Sequence, residues 1–164
     1  MTLMMRKTTT KSLNESQIMN KKSKKLYSSE FIIWQNNLQH CKLATDVILK
    51  DISKAQKSPV LLVQEPHIYR AKPRFNPPNY NVFFGKSSCA RSLIAVPRGL
   101  RCWAMESLCN RDVTTVLLED FNGQKLIVVS AYLDIKDKNV INDTLEKVSS
   151  FSRDNNLPML LVRV

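Results

Sequence analysis

Apolar positions follow two patterns along the chain, and each pattern predicts one kind of element. Helical spacing is found in five residues that recur every three or four positions, namely Cys41, Ala44, Ile48, Ile52 and Ala55. They predict a helix that ends before Pro59. A compact apolar run follows at residues 59–63, which is typical of a strand buried on both faces. A helix followed by such a strand is half of a β-α-β unit.

Weaker patterns predict further strands on either side of this unit. Residues 31–38 are interpreted as a short strand that runs into polar residues, and residues 81–84 and 93–96 as two more short strands. Residues 70–80 contain three prolines, which indicates a loop.

A hairpin is the clearest local signal. The apolar segments 113–118 and 125–131 flank Asn122-Gly123, two residues whose backbones accept the positive φ of a tight turn. An amphipathic helix is predicted next by Ile141, Leu145, Val148 and Phe151, and it stops at Asn155-Asn156 and Pro158.

The last predicted element is a strand at residues 159–164, whose apolar pattern suits the middle of a sheet. Because natural termini are usually polar, we expect the domain to be interrupted there. The order of strands, helix, hairpin, helix and strand favours an α/β sandwich with mixed sheets and outer helices.

Charge divides the chain into a tail and a folded part. Residues 1–27 contain seven basic residues and one acidic residue, so they carry +6 of the formal net charge of +11. This segment has few bulky apolar groups, and we expect a disordered basic tail over residues 1–27 and one folded domain over 28–164. Its basic run at residues 21–25 would either attract nucleic acid, act as a nuclear address or be plainly solvated.

Composition narrows the setting of the protein. No apolar stretch is long enough for a membrane span, and the first six residues do not form a secretory signal, so we expect a protein of the nucleus or cytoplasm that is not secreted. The four cysteines are scattered without a C-x-x-C pair, and neither histidine lies at ligand spacing from a cysteine. Reduced, packed thiols are therefore favoured over a zinc site.

Three polar residues stand where predicted strands end, which is where α/β folds usually assemble their sites. Glu65 follows the buried strand and offers a hard oxygen ligand of the kind that Mg²⁺ prefers, although a solvated loop carboxylate is the commoner case. Asn37 can position a phosphate oxygen or a metal-bound water, or simply cap the helix that follows. Tyr132 can donate to a phosphate or serve as a packing residue.

Taken in order, these residues resemble a known family. Asn37-Leu-Gln-His40 before a helix, Gln64-Glu65-Pro66 after a buried strand and Ser130-Ala-Tyr132 after the hairpin resemble the endonuclease/exonuclease/phosphatase superfamily. The likeness is greatest to the apurinic-like endonuclease domains of insect non-LTR retrotransposons, and Cys109-Asn-Arg-Asp-Val113 is similar to that lineage as well. The fold implied is a partial four-layered α/β sandwich with mixed β-sheets and outer helices.

The resemblance implies a Mg²⁺-dependent (or Mn²⁺-dependent) nuclease that nicks DNA. Glu65 would bind the metal, Asn37 would orient the metal site or the scissile phosphate, and Tyr132 would hydrogen-bond the phosphate. DNA would be the partner, with no membrane and no small-molecule cofactor beyond the metal. The family's Asp-x-Asn pair after the strand at 159–164, and its later Asp-His pair, are not in this sequence, so we expect catalysis to be incomplete.

The remaining candidates are basic side chains and two histidines. Arg70, Arg91 and Arg111 belong to a loose basic set that would either contact nucleic-acid phosphates or be solvated. His40 and His67 are assigned ordinary roles in capping, packing or solvent contact. Two alternatives stay open beside the endonuclease-like domain: a basic, non-specific nucleic-acid-binding remnant without enzymatic activity, and an unstable fragment without a retained role.

Overall fold

The order of elements in the structure follows the apolar pattern closely. The computed structural model describes residues 6–9, 31–87, 89–133 and 143–163. In chain order its elements are β1 (Arg6–Thr9), β2 (Ile32–Asn37), α1 (Lys42–Lys54), β3 (Val60–Gln64), β4 (Ile68–Tyr69), β5 (Lys72–Pro73), β6 (Tyr80–Phe84), β7 (Ser92–Pro97), β8 (Arg101–Ala104), a 3₁₀ turn (Glu106–Leu108), β9 (Val113–Glu119), β10 (Lys125–Ala131), α2 (Asp143–Asp154) and β11 (Met159–Arg163).

Two mixed sheets form the body of the described chain. The first has the strand order β1-β2-β3-β7-β6, with β2 and β3 parallel and the other neighbours antiparallel. The second has the order β11-β10-β9-β8, with β10 and β11 parallel. The strands β4 and β5 form a separate small hairpin.

Alternation along the strands sorts side chains between the two faces of each sheet. In β3, Val60 and Leu62 join the core between the two sheets, whereas Leu61 and Val63 join a second core that includes Ile48 of α1. In the second sheet, Val128 faces the core between the sheets, and a third core contains Val129 together with Val148 of α2. The layers are therefore helix, sheet, sheet and helix, which confirms the predicted α/β sandwich with outer helices.

Most of the individual predictions are confirmed. The helix after Cys41, the buried strand before Glu65, the two short strands that follow, the hairpin and both C-terminal elements are all present. The hairpin turn is longer than predicted, since Asp120 accepts hydrogen bonds from the backbone N–H groups of Asn122 and Gln124, and of these loop residues only Gly123 has a positive φ. Ile141 and Val164, which also entered those predictions, lie outside the described residues.

Four differences from the sequence patterns are found. Strand β1 lies within the segment predicted to be disordered, where it pairs with β2 and forms the edge of the first sheet. The rest of the tail lies outside the described residues. The proline-rich segment predicted as a loop contains β5, and β8 was not predicted. Strand β11, whose pattern suits a central strand, has a neighbour on one side alone within the described part of the chain, and Leu161 is exposed.

None of the helices in the described ranges is long and apolar enough to cross a membrane.

Candidate nuclease-like site

A layer of four polar side chains closes the core between the sheets at one end. The positions that face this core are apolar along β3, β7, β9 and β10 until the last one at this end, where each strand carries a polar residue. All four are completely buried: Gln64, Ser92, Thr114 and Ser130. We call them the polar layer.

Hydrogen bonds within the polar layer join one sheet to the other. The Gln64 amide donates to the Ser130 hydroxyl at 2.9 Å, and the hydroxyls of Ser92 and Thr114 are 2.9 Å apart. Thr114 also donates to the Ser92 carbonyl at 3.0 Å. Buried polar groups satisfied in this way fix the relative position of the elements that carry them. Among the residues that the structure describes, Gln64 Oε1 has no hydrogen-bond partner.

Directly above this layer, the chain places the predicted site residues on one rim of the sandwich. Asn37 ends β2 beside Gln64 of the parallel strand β3, so Glu65 leaves the neighbouring strand at the same edge. Glu65 has a φ of 45°, and its backbone N–H donates to the Arg91 carbonyl at 2.7 Å. The backbone N–H of Tyr132 donates to the Asp112 carbonyl at 2.8 Å, on the same rim.

The Asn37 side chain does not cap α1, because the helix has Cys41 at its N-cap and no side-chain cap hydrogen bond; it bonds within the preceding turn instead. Its Oδ1 accepts a hydrogen bond from the Gln39 backbone N–H at 2.9 Å, so it stabilises the turn between β2 and α1. This turn contains two left-handed residues, Gln39 and His40. It is also held to β3, because the Leu38 N–H donates to the Gln64 carbonyl at 2.9 Å. Asn37 is thus a turn-forming residue at the site edge, and its role toward a phosphate stays a prediction.

His40 lies beside the Glu65 carboxylate. Its Nε2 is 3.6 Å from Glu65 Oε1, and its Nδ1–H donates to the Pro66 carbonyl at 2.9 Å. The Nδ1–H of His67 in turn donates to the His40 carbonyl at 3.0 Å. The Glu65 side chain is 19% exposed, so it is accessible at the rim but well surrounded. The two histidines therefore do more than the sequence suggested, since they join the Glu65 loop to the turn before α1.

Arg91 connects the two sheets at the rim. Its guanidinium donates to both carboxylate oxygens of Asp112, at 2.6 and 2.8 Å, and lies over the Tyr132 ring with 4.5 Å between its central carbon and the ring centroid. Both members of the ion pair are mostly buried, at 18% and 22% exposed. The prediction that Arg91 contacts nucleic acid stays a prediction, and the geometry gives this residue the further role of positioning Tyr132.

The Asp112 segment is itself held by Asn110. Its Oδ1 accepts hydrogen bonds from the backbone N–H groups of Asp112 and Val113, both at 2.8 Å. Close packing fixes Asn110, because a Cβ added at Gly85 would lie 1.9 Å from the Asn110 carbonyl oxygen. Sequence reasoning noted Asp112 only as part of a motif. A signal for this rim was present in the sequence, because each of the four apolar strands β3, β7, β9 and β10 carries one polar residue at the same end.

The other two predicted nucleic-acid contacts lie on exposed segments of the same end. Arg111 is exposed next to Asp112, and its carbonyl accepts from the Arg91 N–H at 2.7 Å. Arg70 is exposed on the β4–β5 hairpin, which follows Glu65 in the chain. An apolar cavity of about 520 Å³ lies at the opposite end, where it is lined by residues such as Val60 and Pro97, so it takes no part in this rim.

The donor chemistry at Glu65 fits a hard divalent cation. A carboxylate at a partly open rim, next to an amide, is the kind of ligand Mg²⁺ uses while it keeps several of its waters. In the described ranges no three His, Cys, Asp or Glu side chains gather around a point where a metal ion would be enclosed. The fit is therefore to an ion held by one protein carboxylate together with water and a substrate phosphate.

Comparison with known proteins supports the same fold. No protein-family model matches the chain, and no curated protein sequence matches it. Among solved structures, the endonuclease domain of TRAS1, a telomere-specific non-LTR retrotransposon, is similar with a TM-score of 0.63 and 20% identity. The match covers 80% of this chain and 57% of that domain. The resemblance drawn from the motifs is thus confirmed at the level of the fold.

Proposed function

We propose that this chain is a nuclease-like domain that binds DNA through the phosphate backbone and holds Mg²⁺, or Mn²⁺ in its place, at Glu65. Cleavage by the 164-residue chain alone is expected to be weak or absent. The Asp-x-Asn pair that the family resemblance places directly after the strand at 159–164, and its later Asp-His pair, are not among these 164 residues. Losing members of one catalytic unit usually removes most of its activity.

The observation that carries this proposal is the shared rim of Glu65, Asn37 and Tyr132 above the polar layer. Glu65 and Asn37 leave adjacent parallel strands, and Tyr132 is joined to them through Arg91, whose carbonyl binds the Glu65 N–H. A phosphate at this rim would meet an amide and a phenol that can each donate a hydrogen bond. The likeness of the fold to the TRAS1 endonuclease domain supports a nuclease-like role for the chain.

Each residue has a specific task in this proposal. Tyr132 donates its phenolic proton to a phosphate oxygen, and the Arg91 guanidinium keeps its ring in place. Glu65 holds the cation, which neutralises phosphate charge when bound. His40 Nε2 lies 3.6 Å from the Glu65 carboxylate, beyond hydrogen-bond distance, so the carboxylate is left available to the cation.

The test compares the effect of Glu65→Gln on DNA affinity without and with Mg²⁺, because the proposal predicts opposite effects in the two conditions. Glu65→Gln removes a negative charge from a DNA-binding surface, so in EDTA it should leave DNA affinity equal or slightly higher. In Mg²⁺ at the same ionic strength, it should lower affinity about tenfold, because the bridging cation is lost; this corresponds to about 1.4 kcal/mol. Fluorescence anisotropy of a labelled duplex measures both.

Glu146→Gln is the matched control, since Glu146 is an exposed glutamate on α2. Its DNA affinity relative to the wild type should be the same in EDTA and in Mg²⁺. A Glu65→Gln protein with the same Mg²⁺ response as wild type would refute a metal site at Glu65. If the wild type then still bound DNA, the chain would be a basic, non-specific nucleic-acid-binding protein, which its net charge of +11 alone can support. Nicking of supercoiled plasmid, compared between the same proteins, reports any remaining cleavage.

A further inference from the structure

The short β4–β5 hairpin projects from the chain directly after Glu65. Its two residue pairs are Ile68 with Pro73 and Tyr69 with Lys72. At its tip, Arg70 and Ala71 both have positive φ values, of 49° and 59°. This is the geometry of a tight turn that matches strand twist, and non-glycine residues adopt it at a cost of about 1 kcal/mol or more each. The hairpin is therefore a defined arm, which we call the basic arm (residues 66–75).

The base of the basic arm is fixed to the candidate site. Pro66 is buried at one end, and Phe75 is in the core beside α1 at the other. The Arg74 N–H donates to the His67 carbonyl at 2.7 Å, and His67 donates to the His40 carbonyl. These contacts hold the arm against the turn before α1, which contains His40 beside the Glu65 carboxylate. Binding to a fixed arm costs little ordering entropy.

The exposed surface of the basic arm combines positive charge with an aromatic ring. Tyr69 is 52% exposed, and the guanidinium carbons of Arg70 and Arg74 lie 5.3 and 5.5 Å from its ring centroid. Lys72 is exposed on the same hairpin. Residues 66–75 contain no acidic residue, and none of the ion pairs found within the described ranges involves these three cations. Their positive charge is therefore available to a negatively charged partner.

We propose that the basic arm binds the phosphate backbone of DNA on one side of the phosphate that Glu65 and Tyr132 receive. This inference rests on the proposed function and adds the surface that holds the flanking strand. Arg70, at the arm's tip, is five positions after Glu65, a reach of at most about 17 Å at roughly 3.3 Å per residue. One DNA strand rises about 3.4 Å per nucleotide, so the arm contacts phosphates within about five nucleotides of the site.

Stacking on Tyr69 explains why arginines suit this arm. A guanidinium held over a ring keeps its outer N–H groups free for two phosphate oxygens, and it is already partly ordered before binding. Arg111 adds a further exposed positive charge at the same end of the sandwich, where its carbonyl binds the Arg91 N–H.

The experiment compares two triple variants that remove the same charge. Arg70→Gln with Lys72→Gln and Arg74→Gln neutralises the basic arm, whereas Lys50→Gln with Lys54→Gln and Lys57→Gln neutralises three exposed lysines in and after α1. Duplex affinity is measured by anisotropy against KCl concentration in EDTA. Each lost phosphate contact should lower the magnitude of the log–log salt slope by about 0.9, so the arm variant should lose about 2 to 3 and the control less than 1.

A lysine variant separates charge from structure. Arg70→Lys with Arg74→Lys keeps the positive charge, so it should retain the wild-type salt slope while its affinity falls two- to fivefold because lysine lacks the bidentate geometry. Circular dichroism of each protein checks that the fold is unchanged.

Four results would overturn the inference. Equal loss of slope in the arm and control variants would show that only total charge matters, although the proposed function would stand. Loss of slope in the lysine variant would assign the arm a structural role. Tighter binding of polyglutamate than of DNA at equal charge concentration, lost in the arm variant, would assign the arm to an acidic polypeptide instead. A wild-type chain without DNA affinity would overturn the proposed function and this inference together.

Discussion

The ion pair between Arg91 and Asp112 should contribute measurably to stability, unlike most ion pairs at a protein surface. Hydrogen bonds to charged groups contribute about 1.5–3 kcal/mol, whereas exposed ion pairs typically contribute about 0–1 kcal/mol. This pair is bidentate and only about one-fifth exposed, and its guanidinium also covers the Tyr132 ring. We therefore expect a coupling free energy of about 2 kcal/mol between the two side chains.

A double-mutant cycle measures that coupling. Urea unfolding of the wild type, Arg91→Met, Asp112→Asn and the double variant gives four free energies of unfolding, and their combination isolates the pair. Either single variant should unfold at clearly lower urea concentration, since it leaves a partly buried charge without its partner. The double variant should be destabilised by less than the two single effects together.

The chain contains an exposed control pair at a similar distance. Lys86 Nζ and Glu106 Oε2 are 2.7 Å apart, but the two side chains are 86% and 66% exposed. The ion pair lowers the pKa of Glu106 and raises that of Lys86. A cycle on this pair should give coupling within measurement error, because water and salt screen it. Equal coupling for the two pairs would refute the argument that burial at the rim strengthens the Arg91–Asp112 contact.

Two further predictions concern the packing beneath the rim. Gly85→Ala should destabilise the fold by about 2–3 kcal/mol in urea unfolding, because its new Cβ meets the Asn110 backbone. Gly99→Ala is the control and should have little effect, since nothing lies within 4 Å of its Cβ position. Equal effects of the two substitutions would mean that the backbone around Asn110 moves without cost. Burial raises the pKa of the Cys109 thiol, which also bonds to the backbone, so iodoacetamide at neutral pH should modify the exposed Cys41 much faster. Mass spectrometry of native and unfolded protein follows both thiols, and equal native rates would contradict the structure at Cys109.

Local patterns were enough to predict most of the elements. The helix that contains Ile48 and the hairpin around Gly123 depend on spacing within a few residues, so the sequence displays them directly. Strand β8 was missed because Arg101-Cys-Trp-Ala104 has no clear alternation and is largely exposed. Strand β5 was missed because its proline indicated a loop, although at this short hairpin the proline needs no backbone donor.

The site was predicted only in part, because several of its contacts join residues that are far apart along the chain. Asn37, Glu65 and Tyr132 were found from strand ends and from motif order, and the fold places all three on one rim. The Arg91–Asp112 pair joins residues 21 positions apart, and the Gln64–Ser130 bond joins residues 66 positions apart. Such contacts depend on how the two sheets stack, which no short window of sequence encodes. The roles of the three predicted residues toward metal and DNA remain predictions.

The polar layer has a consequence for how the two halves of the sandwich can be aligned. An all-apolar interface between sheets tolerates sliding, because one branched side chain replaces another at little cost. Here a shift of β3 by two residues along β10 would bring the Gln64 amide against Val128 in place of Ser130. The Gln64 N–H group would then be buried without a hydrogen-bond acceptor. The layer thus fixes the alignment of the two sheets, and with it the relative positions of Glu65 on one sheet and Tyr132 on the other.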